Sequence, residues 1–152
     1  WLAGSVAGRS LETLYWLAPF ILGGSVIGLF LGHQLNVLSL GDETARALGM
    51  RTGLLPLFSL VLVVVITGAS VAAAGPIAFV GLATPHLVRS VIGPDYRWVL
   101  PYSMVVGAIL LTSADVLGRV VARPAEVQVG IVTAIIGAPV LIALARRRTL
   151  AS

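Results

Sequence analysis

Long stretches without a formally charged side chain divide the sequence into apolar blocks. The four longest contain 29, 37, 17 and 19 residues. A helix needs about 20 mainly apolar residues to cross a hydrocarbon core of about 30 Å. The pattern therefore predicts four full-length membrane spans, at about residues 13–32, 54–74, 98–118 and 128–145.

The 37-residue stretch between Arg51 and Arg89 is too long for one span. As a single helix it would extend about 55 Å, nearly twice the thickness of the hydrocarbon core. Gly75-Pro76 interrupts it, and the apolar remainder, 77–88, makes a helix of only about 18 Å. We expect this fifth segment either to cross the membrane among neighbouring helices or to be re-entrant.

The arginines favour a crossing. If residues 77–88 cross, seven arginines lie on one side of the membrane and three on the other, whereas a re-entrant segment gives six and four. The positive-inside rule favours the more uneven distribution. The C-terminus and the loops 33–53 and 89–97 are therefore predicted to be cytoplasmic, and Arg9 and the loop 119–127 external.

Small residues recur along the first predicted span. Gly24, Gly28 and Gly32 stand at every fourth position, on one helix face. Small side chains let helix backbones approach closely within a membrane. This face is predicted to pack against another helix.

The composition supports a membrane protein. Charged residues make up 11% of the chain, against about 25% in an ordinary soluble domain, and the mean hydropathy is +1.03. The net charge of +4 could suggest nucleic acid, but the arginines are dispersed, with one cluster at 146–148. We read the excess as an orientation signal and expect membrane lipid, not nucleic acid, around the chain.

Two residue types are absent from the sequence. Without cysteine the chain has no disulfide, thiolate nucleophile or cysteine-ligated metal. All ten basic residues are arginine, and without lysine there is no phosphate-binding loop of the G-x-x-x-x-G-K-[ST] type. The chain itself is therefore not a P-loop ATPase. Because it begins at Trp1 without a signal pattern, we expect it to be a piece of a longer protein.

Asp115 and Arg119 are an unusual pair near the outer end of the span 98–118. Standing at i and i+4, they can pair with each other. An isolated charge at this depth is costly and usually faces a counter-ion, a cavity or a partner. Two interpretations stay open: a self-neutralising pair at the membrane interface, or a docking or pathway role.

The loop after the first predicted span has the pattern of a short amphipathic helix. Gly41 breaks the chain, and the two acidic residues that begin at Asp42 suit the positive end of a helix dipole. Ala45 and Leu48 fall on one face, and Gly49 suits a helix C-cap. A helix this short is marginal alone and needs to dock, on its own domain or in a partner's groove.

An enzymatic alternative is an intramembrane serine hydrolase. Gly68-Ala69-Ser70-Val71 has the shape used by such enzymes, and His86 could act as the base for Ser70. The same small residues are typical of a tightly packed helix. His33 and His86, the only histidines, are a poor metal site and fit interfacial or capping roles better.

An ordered series of motifs runs through nearly all 152 residues. It comprises Leu35-Asn36, Leu40-Gly41-Asp42, Ala45, Leu48-Gly49, Gly75-Pro76-Ile77-Ala78-Phe79-Val80-Gly81-Leu82, Pro85-His86, Arg89, Gly93, Asp95-Tyr96-Arg97, Ala114-Asp115, Arg119, Glu126, Gly130 and Gly137-Ala138-Pro139. In this series the chain resembles the permeases that import ferric siderophores, haem and vitamin B12, the membrane subunits of type II ATP-binding-cassette (ABC) importers.

This resemblance implies an all-α transmembrane fold. Permeases of this kind have about ten helices per subunit and work as homodimers or heterodimers in the bacterial cytoplasmic membrane. The chain would be one membrane domain, the C-terminal half of such a subunit, with about five segments: four full spans and one short helix. Residues 36–53 would form the cytoplasmic coupling loop.

The resemblance also implies roles for particular residues. The family's coupling loop fits a cleft on the cytoplasmic ATPase, and the matching positions are Leu40, Gly41, Asp42, Glu43, Ala45, Arg46, Leu48 and Gly49. Arg119 matches an arginine that docks the extracytoplasmic substrate-binding protein. The remaining motif positions are structural: Pro85, His86, Arg89, Asp115, Gly137 and Pro139. After Glu126 the chain departs from the family pattern, because the proline usual before Gly130 is absent.

The implied function is alternating access driven by a partner ATPase, with an iron(III)-siderophore or related chelate as cargo. No catalytic residue, metal or cofactor is expected in this chain, since ATP and Mg²⁺ would bind to the partner. Iron chelate, haem and cobalamin permeases share these motifs, so the cargo stays open.

Overall fold

The regular structure of this computed structural model is helical. It describes residues 4, 10–50, 53–121, 129–135 and 137–139, and this described part contains helices and no strand. Six helices lie in this part: α1 (Leu11–Phe30), α2 (Gly32–Leu38), α3 (Asp42–Ala47), α4 (Leu54–Ala74), α5 (Val80–Ile92) and α6 (Tyr96–Val121). Residues 129–135 and 137–139 are also helical. The predicted all-helical membrane fold is confirmed.

Within these residues, three helices are long and apolar enough to cross a membrane: α1, α4 and α6. α4 begins and ends at the residues expected from the charge-free stretch, and α1 and α6 lie within three residues of theirs. α4 has no buried residue, so lipid or other protein must cover its apolar surface. The predicted span 128–145 is helical at 129–135 and 137–139, and the rest of it lies outside the described residues.

Local signals explain where these helices start and stop. Ser10 caps α1, its hydroxyl oxygen accepting a hydrogen bond from the backbone N–H of Thr13 at 3.4 Å. Pro56 lies in the first turn of α4, where a missing N–H costs no helical hydrogen bond. Gly75, with φ +78°, ends α4 directly before Pro76.

The short segment lies further along the chain than the predicted 77–88, as α5 at Val80–Ile92. The start was wrong because Phe79 adopts φ +69°, which keeps the chain out of a helix until Val80. The end was wrong because the stop signal is Gly93, with φ +94°. At 13 residues, α5 is about 20 Å long, shorter than a full span.

α1 packs against α4, and α5 against α6. In the first pair Gly24 is buried, and a Cβ there would lie 2.5 Å from Cγ1 of Ile66. Gly28 has more room, with Leu62 Cδ2 at 3.9 Å from the corresponding position. The predicted packing face of α1 is therefore confirmed, with its tightest α4 contact at Gly24.

We expect Gly24→Leu to loosen the α1–α4 pair, because overpacking costs about 1–3 kcal/mol. Gly23→Ala is the matched control, since a Cβ at Gly23 meets nothing within 4 Å. Thermal unfolding of the full-length permease in detergent should show a lower midpoint for the first variant only. Equal midpoints for the two variants would contradict this packing.

α2 and α3 follow the C-terminal end of α1 and position the candidate site. Leu31, between α1 and α2, keeps helical backbone angles, so α2 follows α1 with little interruption. α2 packs on the start of α6, where a Cβ at Gly32 would lie 3.3 Å from the backbone of Arg97. α3 packs against α2.

Candidate functional site

The segment from Ser39 to Met50, which we call the connector, is a turn followed by the one-and-a-half-turn helix α3. The backbone N–H groups of Leu40 and Gly41 donate to the last carbonyls of α2, and Gly41 turns the chain with φ +103°. Residues other than glycine rarely adopt this backbone angle. The predicted chain break at Gly41 is therefore confirmed.

α3 ends in a Schellman motif. Gly49, with φ +80°, donates its N–H to the Arg46 carbonyl at 2.8 Å, and Met50 donates to the Ala45 carbonyl at 3.0 Å. These are the two hydrogen bonds that define this helix ending. The predicted Gly49 cap is confirmed, and it fixes the end of a helix of only six residues.

Ala45 and Leu48, predicted to share one face, differ in burial. Ala45 is completely buried, whereas Leu48 is 65% exposed. Leu48 is the C-cap of α3, and its N–H still donates to the Thr44 carbonyl at 3.1 Å. Leu40 is similarly exposed, at 63%. The apolar surface of the connector is therefore formed by Leu40 and Leu48, while Ala45 packs inward.

Charged side chains accompany the two leucines. Asp42 and Arg46 form an i,i+4 ion pair with N–O distance 2.6 Å, and both side chains are more than half exposed. Exposed pairs of this kind contribute only about 0–1 kcal/mol. With the exposed Glu43, they make the connector an apolar patch with charges of both signs, which suits docking more than internal stability.

The side chain of Asn36, on α2, joins the connector side of the molecule to the start of α6. Its Nδ2 donates to Oδ1 of Asp95 at 2.5 Å, and its Oδ1 accepts from the backbone N–H of Tyr96 at 2.8 Å. Asp95 also accepts from the N–H of Arg97 at 2.9 Å. The Asn36 amide, followed by the Arg97 N–H, lowers the pKa of Asp95 below its ordinary value.

Two further contacts lie beside the hydrogen bonds that Asn36 and Asp95 make at the start of α6. Arg97 donates to Nδ1 of His33 at 2.5 Å. The guanidinium of Arg89 lies 4.6 Å from the centre of the Tyr96 ring, in a cation–π contact that ties α5 to α6. The sequence motifs contain Arg89, Tyr96 and Arg97 but not His33, and their spacing along the chain does not show that these residues meet.

Asp115 and Arg119 form the predicted pair on α6. The Arg119 Nε lies 2.9 Å from an Asp115 carboxylate oxygen. Asp115 is 23% exposed and Arg119 is 52% exposed. The geometry fits the self-neutralising interpretation, and it also leaves about half of the Arg119 side chain accessible to a partner.

The structural motif positions lie on α5 and near the C-terminal end of the described residues. Pro85, His86 and Arg89 are half-buried along α5. A Cβ at Gly137 would lie 2.6 Å from Cβ of Phe79, so only glycine leaves Phe79 its place at the start of α5. Pro139 is the last described residue and is exposed.

The serine hydrolase alternative gains no support. Ser70 and His86 share no hydrogen bond, and Nδ1 of His86 is buried without a hydrogen-bond partner among the described residues. A nucleophile and its base must be within hydrogen-bonding reach. In the same part of the chain, no three His, Cys, Asp or Glu residues come together as a metal site.

Comparison with known proteins places the chain in a family. The model of the FecCD transport family matches residues 1–147. The chain belongs to the FecCD transport family. The resemblance stated from the motifs is thereby confirmed.

Individual FecCD relatives match along almost the whole chain. A siderophore transport system permease of Bacillus subtilis, YfiZ, is 50% identical over 97% of this chain and 44% of its own length. The ferric enterobactin transport system permease FepD of Escherichia coli is 46% identical over 98% of this chain and 44% of its own. The chain thus spans somewhat under half the length of these relatives.

A solved structure shares the fold. It is reported as a metal-chelate type ABC transporter in an inward-facing conformation, and it superposes with a TM-score of 0.90 at 36% identity. The match covers 97% of this chain and 47% of that one. The described helices are therefore arranged as in the matching part of that transporter.

Proposed function

We propose that the chain is the C-terminal half of a permease subunit in an ABC importer, and that the complete protein moves an iron(III) chelate across the bacterial cytoplasmic membrane. The observation that carries the proposal is the family match over residues 1–147. The names of the relatives, a siderophore and a ferric enterobactin permease, support the cargo class.

Energy for transport comes from another chain in this proposal. The sequence has no lysine for a phosphate-binding loop. The connector offers an ATPase two exposed leucines, Leu40 and Leu48, on a surface with both acidic and basic side chains. Docking there would let closure of two ATPase subunits displace α2 and α3, and through them the spans, so that the pathway opens to each side in turn.

The complete assembly in this proposal also contains a second permease subunit and an extracytoplasmic binding protein that delivers the chelate. The experiment is to purify the full-length permease in mild detergent from cells that express its neighbouring transport subunits. An ATP-binding subunit should co-purify, and proteoliposomes of the complex should take up radiolabelled ferric citrate or ferric enterobactin only with ATP. A permease that carries no ATPase and imports neither chelate would contradict the proposal.

Arg119 lies near the C-terminal end of α6, whereas α2 packs on the start of this helix. We expect Arg119→Glu to weaken docking of the binding protein by about tenfold at low salt, with a smaller effect at high salt. The exposed guanidinium is the group that an acidic partner would meet, whereas Arg119→Lys keeps the charge and should bind nearly normally. Affinity of the binding protein for the reconstituted permease is measured at two ionic strengths. Unchanged affinity of Arg119→Glu at low salt would remove Arg119 from the docking surface.

A further inference from the structure

Three helices meet at the first turn of α6, in a cluster that we call the α6 corner. α2 contributes His33 and Asn36, α5 contributes Arg89, and the start of α6 contributes Asp95, Tyr96 and Arg97. The contacts include a hydrogen bond to a carboxylate, which is stronger than a neutral one. The corner therefore holds α2, α5 and α6 together at one end of the molecule.

Asn36 is the central residue of this corner. Its amide is used at both ends, because Nδ2 donates to Asp95 while Oδ1 accepts from the Tyr96 N–H. A helix N-terminus has free N–H groups that need acceptors. α6 satisfies one with Asp95, its neighbour in sequence, and another with Asn36, which lies 60 residues before Tyr96. Neither an apolar side chain nor a carboxylate can both donate and accept here.

The connector is attached directly to the same residue. The Ser39 hydroxyl donates to the backbone carbonyl of Asn36 at 2.6 Å, and the turn at Gly41 follows at once. One turn earlier on the same face of α2, Gly32 lies against the Arg97 backbone. A displacement of α3 that moves α2 must therefore either carry the start of α6 with it or break the contacts of Asn36.

We propose that Asn36 and Asp95 are positioning residues that transmit displacement of the connector to α6 during transport. The proposal rests on the function proposed above. The two residues act through α6 and touch neither the chelate nor ATP. Without their contact the connector could follow the ATPase while α6 stayed in place, so that ATP would be hydrolysed without import.

A charge exchange tests this role. Asn36→Asp places two carboxylates within hydrogen-bonding distance, where like charges repel. Adding Asp95→Asn restores one amide and one carboxylate with their positions exchanged. The amide on α6 then donates to the carboxylate on α2, and both side chains can still accept the backbone N–H groups of α6. If residues 36 and 95 act only through this hydrogen bond, Asn36→Asp breaks their contact and the exchange variant restores it.

The experiment uses the full-length permease assembled with its ATPase in proteoliposomes and supplied with the binding protein, with radiolabelled ferric citrate and ferric enterobactin as probes. The measured quantity is iron imported per ATP hydrolysed. We expect Asn36→Asp to lower this ratio by about tenfold, within the range of coupling between residues in contact, while ATP hydrolysis and co-purification of the ATPase persist. The exchange variant should return most of the ratio.

Ser90→Asp is the matched control, because it adds the same charge at an exposed position of α5 that belongs to neither the connector nor the α6 corner. Its ratio should stay near that of the unmodified protein. An Asn36→Asp variant that imports as much iron per ATP as the unmodified protein overturns the positioning role. So does an exchange variant that stays as uncoupled as the single change, provided that both assemble. Failure of the unmodified protein to import either probe instead counts against the proposed function.

Discussion

Leu48→Asp is expected to abolish ATP-driven import while the permease stays folded. The side chain is 65% exposed in this chain, so an aspartate there mainly meets water and disturbs few internal contacts. In the proposed assembly the same leucine is buried against the ATPase, where a leucine side chain contributes about 1.5–3 kcal/mol. Its loss alone weakens docking by about tenfold or more, and a desolvated carboxylate weakens it further.

The measurement combines co-purification of the ATPase with ATP-dependent uptake of a ferric chelate into proteoliposomes. Leu48→Met is the matched control, because it keeps an apolar side chain of similar volume. A substitution at the other apolar position of α3, Ala45→Trp, should have a different effect. Ala45 is completely buried, so tryptophan there should unfold the connector and lower the thermal midpoint, whereas Leu48→Asp should not. Import by Leu48→Asp at the normal rate would show that the connector does not couple the two subunits.

The spans and the ends of the connector could be predicted because single residues determine them locally. Charge-free stretches set the positions of α1, α4 and α6, since a formal charge is expensive within the hydrocarbon core. Gly41, Gly49 and Gly75 stand where the backbone takes positive φ, a conformation that glycine adopts at little cost. For these elements the physical constraint acts on the residue itself, so it is visible in the sequence.

Other features depend on contacts between distant residues. Periodicity placed Ala45 beside Leu48, but in a six-residue helix the burial of each is decided by packing on α2 and by the cap. The cap that Asn36 supplies to α6 joins residues 59 and 60 positions apart. Phe79 takes positive φ in an apolar run with no turn residue beside it, and no local signal indicates this.

The second large effect is expected where Gly137 packs against Phe79. Gly137→Ala is expected to destabilise the permease by about 1–3 kcal/mol, the usual cost of an added methyl group in a tight site. The new Cβ would lie 2.6 Å from the Phe79 Cβ, an atom fixed to the backbone that cannot rotate away. Either α5 must shift at its start or the helical residues near 137 must move.

Gly107→Ala is the matched control, because its nearest neighbour, the Thr84 methyl group, lies at the ordinary contact distance of 3.7 Å. Thermal unfolding of the full-length permease in detergent should give a lower midpoint for Gly137→Ala than for Gly107→Ala. The shift of about 2–4 °C per kcal/mol that applies to chains of 150–250 residues is an upper bound for the longer permease. Equal midpoints for these two variants would contradict the contact.

Repeating the Gly137→Ala substitution in a Phe79→Gly variant tests whether Phe79 is the neighbour that alanine meets. Phe79→Gly removes the opposing Cβ, and it also places glycine at a φ of +69° that phenylalanine adopts only at a cost. The substitution should itself destabilise the protein, because a buried part of a large side chain is lost. In that background, however, Gly137→Ala should cause no further loss, because the two changes act on the same pair of atoms and their effects are not additive. A loss of equal size in both backgrounds would mean that alanine at 137 acts through another neighbour, and the glycine would then have no role in seating the start of α5.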